Sequence, residues 1–149
     1  MKTLTFEETQ LAGEKFAKKL LSFRENLKAK VVVLYGELGS GKTTFVQGMA
    51  RGLGIKRRII SPTFIIVRHY RIKNQESRIM NFYHIDLHRI NSEDYLEGLG
   101  LREIIEDPQN IVAIEWGEKL GSLLPKKRWD VTFEYLDKDK RKITIDEKY

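Results

Sequence analysis

Eight residues constrain this chain more than any others: Gly36-Glu37-Leu38-Gly39-Ser40-Gly41-Lys42-Thr43, which satisfies G-x-x-x-x-G-K-[ST] in full. The pattern demands a strand before it and a helix after it, and both are legible. Val31-Val32-Val33-Leu34-Tyr35 is a short β-branched apolar run, which reads as a strand buried on both faces. From Lys42 onward, Phe45, Val46, Met49, Ala50 and Leu53 form a one-sided helical stripe, and Gly54 is placed to end it. Gly36 and Gly41 let the backbone curl so that successive N–H groups point inward at an anion. The positive end of the following helix adds to the same field. A chance match would occur in roughly one of a few hundred chains of this size, before the strand and helix are required as well.

In such a loop Lys42 places its charge on the β and γ phosphates of a nucleotide, and the Thr43 hydroxyl is a magnesium ligand. Thr44 carries the same hydroxyl, but the spacing favours Thr43. Glu37, Leu38, Gly39, Ser40, Gly41 and Thr44 complete the candidate phosphate-binding set.

A phosphate loop also needs a carboxylate at the end of a neighbouring strand. Asp86 closes Met80-Asn81-Phe82-Tyr83-His84-Ile85-Asp86, and Glu115 closes the more apolar run Ile111-Val112-Ala113-Ile114-Glu115. Either is suited to orient the magnesium or its waters, and Glu115 also to position an attacking water. The bland alternative is a solvated acid at a strand end. His84, Asp86 and His88 recur at a spacing of two, which an extended strand would bring to one face; polar edge decoration, or membership of another site, explains that better than a transition-metal triad. Ser61-Pro62-Thr63 stands some twenty residues beyond the loop, where a nucleotide switch brings a Thr hydroxyl to the metal or the γ phosphate, or where Pro62 simply makes a turn. Trp116 either packs over the site or belongs to the core.

The rest of the chain predicts an α/β fold: a phosphate-loop type of mixed sheet flanked by helices, with antiparallel hairpins added. Thr5-Phe6-Glu7-Glu8 is a capping-box pattern opening a helix to about Ser22, with Ala12, Phe16, Ala17, Leu20 and Leu21 on its apolar stripe. Phe64 to Ile72 and Ile79 to Ile85 read as strands joined by a polar turn at Lys73 to Ser77. Asn91 or Ser92 is suited to cap a short helix through Tyr95 and Leu96, and Leu101 to Ile105 suggests another turn. Val131, Phe133 and Tyr135, then Ile143 and Ile145, alternate as a terminal hairpin around Asp137-Lys138-Asp139-Lys140. With no repeat, linker or low-complexity tract, residues 1–149 read as a single domain.

Composition narrows the setting. No cysteine is present, so disulfides and thiolate zinc sites are excluded, and a reducing cytoplasm is the simplest home. No apolar run approaches the ~20 residues of a membrane span, and the first residues have no signal-peptide character. The net charge of +6 favours polyanionic neighbours such as nucleotides or RNA, or is a solvated lysine-rich surface.

Four motifs in order, Gly36-Glu37-Leu38-Gly39-Ser40-Gly41-Lys42-Thr43-Thr44-Phe45, Ser61-Pro62-Thr63-Phe64, His84-Ile85-Asp86-Leu87-His88-Arg89 and Ile114-Glu115-Trp116, resemble the bacterial TsaE family. That family is the ATPase component of tRNA threonylcarbamoyladenosine synthesis. The resemblance covers most of the chain and implies ATP and magnesium as ligands. It implies that Lys42 and Thr43 bind phosphate and metal, that Asp86 serves the metal, that Thr63 sits in a switch-like loop, and that Glu115 and Trp116 stand beside the nucleotide. The implied partners are the TsaB and TsaD proteins, with tRNA reached indirectly through their complex and no membrane involved. The family usually has Tyr where His88 stands, and often Pro or Ala where Gly117 stands.

Two other functions compete. A small-molecule or nucleotide kinase would use the same loop, but it wants an acceptor pocket and an Arg-rich lid. Arg57 and Arg58 are only a pair, and the expected hairpin from Phe64 would occupy much of the space a lid needs. A guanine-nucleotide switch would carry Asn-Lys-x-Asp and Asp-x-x-Gly, and neither occurs in the sequence.

Overall fold

The fold is that of a computed structural model, which describes residues 3–23, 27–37, 39–56, 59, 67–73, 78–90, 96, 98–137 and 140–148. Leu38, Arg57 and Arg58, the segment 60–66 with Thr63, the turn at 74–77, the capping candidates Asn91 and Ser92 with Tyr95, and the hairpin tip at Lys138 and Asp139 lie outside the described residues.

A seven-stranded mixed sheet runs through the molecule in the order β1-β7-β6-β2-β5-β4-β3. Its strands are β1 (Thr3–Leu4), β2 (Lys30–Tyr35), β3 (Val67–Arg71), β4 (Asn81–Asp86), β5 (Asn110–Glu115), β6 (Arg128–Asp137) and β7 (Lys140–Lys148). Among the described residues, the helices with defined bounds are α1 (Phe6–Ser22), α2 (Lys42–Gly52) and α3 (Leu101–Glu106), with a 3₁₀ stretch at Gly117–Leu123. β2 pairs in parallel with β5 on one side and β6 on the other, and β4 adds in parallel beyond β5. The two predicted hairpins, β3–β4 and β6–β7, are antiparallel as expected. The turn expected at Leu101 to Ile105 is the helix α3, which buries Leu101 and Ile105.

The strands sit where their sequences require. Every residue of β5 is buried, as are Lys30 to Leu34 of β2, because both faces of these central strands are covered. On one face α1 and α2 pack Phe16, Leu20, Phe45, Val46 and Met49 against Val32, Leu34, Phe82, Ile111, Val131 and Phe133. On the other face Val31, Val33, Ile85, Val112 and Ile114 meet Leu87, Leu96, Leu101, Ile105 and Leu120. Each such fully buried side chain stabilises the fold by about 1.5–3 kcal/mol.

α1 begins with the capping box expected of Thr5 and Glu8: the Glu8 amide donates to the Thr5 hydroxyl and the Thr5 amide to the Glu8 carboxylate. Such a cap contributes about 1 kcal/mol. At the other end, buried Lys30 donates to the carbonyls of Leu20 and Phe23, closing the last turn of α1, and burial lowers its pKa to about 8. α1 and α2 approach backbone to backbone. A methyl group at Gly13 would overlap the Phe45 carbonyl oxygen, one at Gly48 the Gln10 carbonyl, and one at Gly52 the Glu14 carbonyl.

One difference from the expected alternation matters for the site. Val131 and Phe133 are buried, but Tyr135 is 55% exposed. The last β2 residue, Tyr35, pairs with Thr132, so β6 beyond that point has no inner neighbour and rises past the sheet's edge with β7.

Candidate functional site

The site is assembled where β2 hands the chain to α2. Gly36, Gly39 and Gly41 all take positive φ, and Gly41 (φ +105) is the N-cap of α2 with no side-chain capping bond. A non-glycine at Gly41 is disfavoured by its φ, and would also push aside the Arg141 side chain, 2.7 Å from where a Cβ would stand. The loop closes on itself through the Ser40 amide to the Glu37 carbonyl (3.0 Å). The first bond into the helix is Phe45 N–H to Gly41 carbonyl (3.0 Å), so the amides of the opening turn have no capping side chain. Ser40 is 1% exposed, and its hydroxyl oxygen is buried with no partner among the described residues. Curled amides, an uncapped helix start and an orphaned hydroxyl together make a cradle suited to an anion.

This turn floors a cavity of about 530 Å³, within the usual size of a ligand pocket. Gly39, Gly41, Lys42, Thr43 and Thr44 form the floor. Asp86, His88, Glu115 and Trp116 form one wall, and Arg141 lines the cavity from the terminal hairpin. Of the residues singled out from sequence, Lys42, Thr43, Thr44, Asp86, Glu115, Trp116 and the two loop glycines therefore meet in one place. Glu37 is exposed outside the cavity, and Ser40 is buried and does not line it.

Parallel pairing brings the two acids side by side: Asp86 and Glu115 are register partners at the carboxyl ends of β4 and β5. Their environments differ. Glu115 is 6% exposed, so the solvated strand-end alternative does not hold for it. Its Oε2 accepts from the Nε2 of fully buried His84 at 2.9 Å, and its Oε1 lies 3.7 Å from the Lys42 ammonium. Burial pushes the Glu115 pKa up. The His84 hydrogen bond and the Lys42 charge outweigh it and hold the carboxyl below its ordinary value, so Glu115 is ionised at neutral pH. Lys42 also donates to the Gly36 carbonyl (2.7 Å), which anchors its ammonium over the loop.

Asp86 is less buried. Its Oδ1 accepts from both the backbone amide and the Nδ1 of His88, each at 3.0 Å, which turns the chain sharply after β4. The spacing-of-two cluster is thus divided: His84 serves Glu115, while His88 has left the strand and holds Asp86. Among the described residues no group of three or more His, Cys, Asp or Glu is placed to hold a metal unaided. The hydroxyl of Thr43 and the carboxylates of Asp86 and Glu115 are hard oxygen donors, the set that suits magnesium shared with a phosphate.

Trp116 is the one non-glycine described residue with positive φ (61°); it is 45% exposed and lines the cavity rather than the core. Lys119 stands over the ring at 5.4 Å and donates to the carbonyls of His88 and Ile90, tying this corner to the turn after β4.

One residue of the site escaped the motif reading. His84 and His88 stood in a quoted motif, with alternation putting them on the same face as Asp86, but without a role assigned to either. Arg141 carried no local signal, since it stands in a run of charged residues and only the hairpin register brings it to the cavity.

Comparison with known proteins finds relatives along most of the chain. The family model described as "Threonylcarbamoyl adenosine biosynthesis protein TsaE" matches residues 4–143. Proteins named tRNA threonylcarbamoyladenosine biosynthesis protein TsaE are similar along most of their length. The Haemophilus influenzae protein is 38% identical over 133 residues, covering 89% of this chain and 79% of its own. The Borreliella burgdorferi protein is 40% identical over 126 residues, covering 80% and 88%. Among solved structures, the crystal structure of Bacillus subtilis YdiB superposes with a TM-score of 0.69 at 28% identity, covering 97% of this chain and 82% of that one.

Proposed function

Because the chain belongs to the TsaE family of threonylcarbamoyl adenosine biosynthesis proteins, we propose that it is the ATP-binding and ATP-hydrolysing component of that tRNA modification, coupled to the TsaB and TsaD proteins in the cytoplasm. The observation that carries this reading is the buried Lys42–Glu115–His84 chain beside an uncapped phosphate cradle.

In this reading the triphosphate lies along the amides of the loop and the first turn of α2, with the Lys42 ammonium on its β and γ oxygens. A bound triphosphate competes with Glu115 for Lys42, and so releases Oε1 of a carboxylate that His84 still holds by Oε2. That freed oxygen is placed to accept a hydrogen bond from a water and orient it toward the γ phosphorus. The Thr43 hydroxyl and Asp86 would hold magnesium or its waters, with Thr63 as a further contact. Held there, magnesium would supply positive charge to offset the negative charge that develops on the phosphates. Trp116 closes the cavity beside Glu115. TsaD, in this scheme, performs the transfer chemistry, and this chain supplies an assembly and reset cycle.

The test is phosphate release from ATP with and without TsaB and TsaD, paired with nucleotide-dependent capture of those proteins. Weak hydrolysis alone, changed by the partners, is expected. No hydrolysis and no capture in any combination overturns the proposal, and a phosphorylated small-molecule acceptor in place of free phosphate would convert the reading to a kinase.

A further inference from the structure

We propose that the amino end of the parallel strands, the end of the sheet opposite the nucleotide cavity, is a docking surface for the sugar-phosphate backbone of tRNA. This goes beyond the ATPase reading and does not depend on it; it rests on the family's place in a tRNA modification.

The surface follows from the sheet order. β2, β4, β5 and β6 run parallel, and the cavity with Lys42, Asp86 and Glu115 stands at the carboxyl ends of β2, β4 and β5. At the opposite end stand Lys28, just before β2, Arg78, before β4, and Lys126, before β6. The antiparallel strands return to the same level. Arg71 pairs with Asn81, the first residue of β4, and Lys73 follows it. Lys148 pairs with Arg128, the first residue of β6. All six of these residues are exposed. Their row crosses the sheet from β7 to β3, a width of about 24 Å at the usual strand spacing.

These cations are not engaged by the fold. Among the described residues no ion pair or side-chain hydrogen bond joins any of the six to another residue. Arg128 beside them differs, because it holds Asp130 at 2.8 Å and donates to the Pro125 carbonyl. The acids at this end are fewer: Glu106, Asp107, Asp146 and Glu147, and Asp107 is turned onto the Gln109 amide. Lys127 and Arg102 add further positive charge. Lys28, Arg102 and Ser122 also line a cavity of about 170 Å³ beside the row, which places two cations and a hydroxyl around a space suited to one phosphate.

The length of the row selects the anion. Such a field recruits polyanions. A compact anion meets one or two of the side chains, whereas a polynucleotide repeats its charge along the whole row. Double-stranded RNA is bound in this manner, by its phosphates and shape rather than by base edges. β2 is six residues long, so the row lies about 20 Å from the cavity, and RNA and nucleotide bind together without competing.

The experiment is fluorescence anisotropy of labelled unfractionated tRNA titrated with the full chain over a range of salt, with thermal unfolding in parallel. The proteins are wild type, Lys126→Glu, Arg78→Glu, the double variant, and Lys142→Glu, which makes the same charge change on β7 toward the nucleotide end. Each row variant should weaken binding about tenfold and lower the slope of log affinity against log salt by about one. The two losses should multiply, because the positions are about 14 Å apart across the sheet. Lys142→Glu should stay within twofold, and saturating Mg-ATP should leave the affinity unchanged. If a charge reversal fails to fold, Lys126→Gln and Arg78→Gln carry the test with losses of about threefold. No tRNA binding by the wild-type chain at low salt overturns the inference. So does an equal loss in Lys142→Glu, which means diffuse attraction, and so does competition by Mg-ATP, which puts the RNA in the phosphate cradle. Row variants that keep tRNA but lose capture of TsaB and TsaD overturn it as well, because the surface then faces protein. Absence of ATP hydrolysis would sink the functional reading and leave this result standing.

Discussion

On the β4–β5 side of the cavity the charged groups are already bonded to one another: Glu115 to His84 and Lys42, Asp86 to His88. On the β6–β7 side a guanidinium reaches the loop with its Nε unused. The first arrangement fixes directions before any ligand arrives, which suits a group that must act on a water at a defined angle. The second leaves a guanidinium whose one hydrogen bond among the described residues is a long one to the Gly39 carbonyl, which suits a group that only has to hold an anion. The contrast implies a division of labour, with substitutions on the acid wall falling on turnover and those on the hairpin wall falling on affinity.

The largest effect is expected at Lys42, which touches both functions. Lys42→Ala removes the ammonium from the cradle and leaves Glu115 without its cation; Mg-ATP affinity should drop by about 100-fold or more in calorimetry. Wild-type affinity in that variant would remove the cavity from consideration altogether. Next is Glu115→Gln, chosen over alanine because the position is buried and hydrogen-bonded. Partner-stimulated hydrolysis should fall by about 100-fold while the Kd moves less than about threefold. An equal loss of affinity would erase the distinction between the walls.

His84→Ala should slow hydrolysis by about tenfold and cost about 1–3 kcal/mol in urea unfolding, because it strands the Glu115 Oε2 in the interior. His84→Gln, which keeps a donor, should recover part of the rate; no recovery would reduce His84 to a packing residue. The smallest effect concerns pH. The Glu115 carboxyl is held below its ordinary 4.5, so the stability it contributes is present above that value and disappears as pH falls through its folded pKa. The stability gap between wild type and Glu115→Gln should therefore shrink below about pH 4.5 in acid-range denaturation. A gap that stays constant would mean that the folded carboxyl titrates as it does in the unfolded chain.

Much of this molecule was readable without coordinates, for local reasons. The Thr5–Glu8 box, the apolar run of β2, the Phe45–Leu53 stripe and the buried run ending at Glu115 each carry their signal within a few neighbouring residues. The phosphate loop is legible for the same reason. What could not be read depends on pairing across distance. That Asp86 and Glu115 are register partners needs the parallel β4–β5 match. The burial of Glu115 needs both neighbours and the covering layer. Arg141 reaches the loop only because β6 outruns β2, and no window of sequence around a charged hairpin strand records that. Trp116 was undecidable between core and cavity because its left-handed backbone, which turns the chain out of β5, has no signature in an Ile-Glu-Trp-Gly string.

The glycine seam between the first two helices has one more implication. With Gly13, Gly48 and Gly52 letting carbonyls sit where side chains would otherwise stand, the helix behind the phosphate loop is clamped along its length. It has no clearance to act as a piston. In the proposed cycle, the strand-end segments at the rim of the cavity are then better placed than this helix to carry a nucleotide-dependent change.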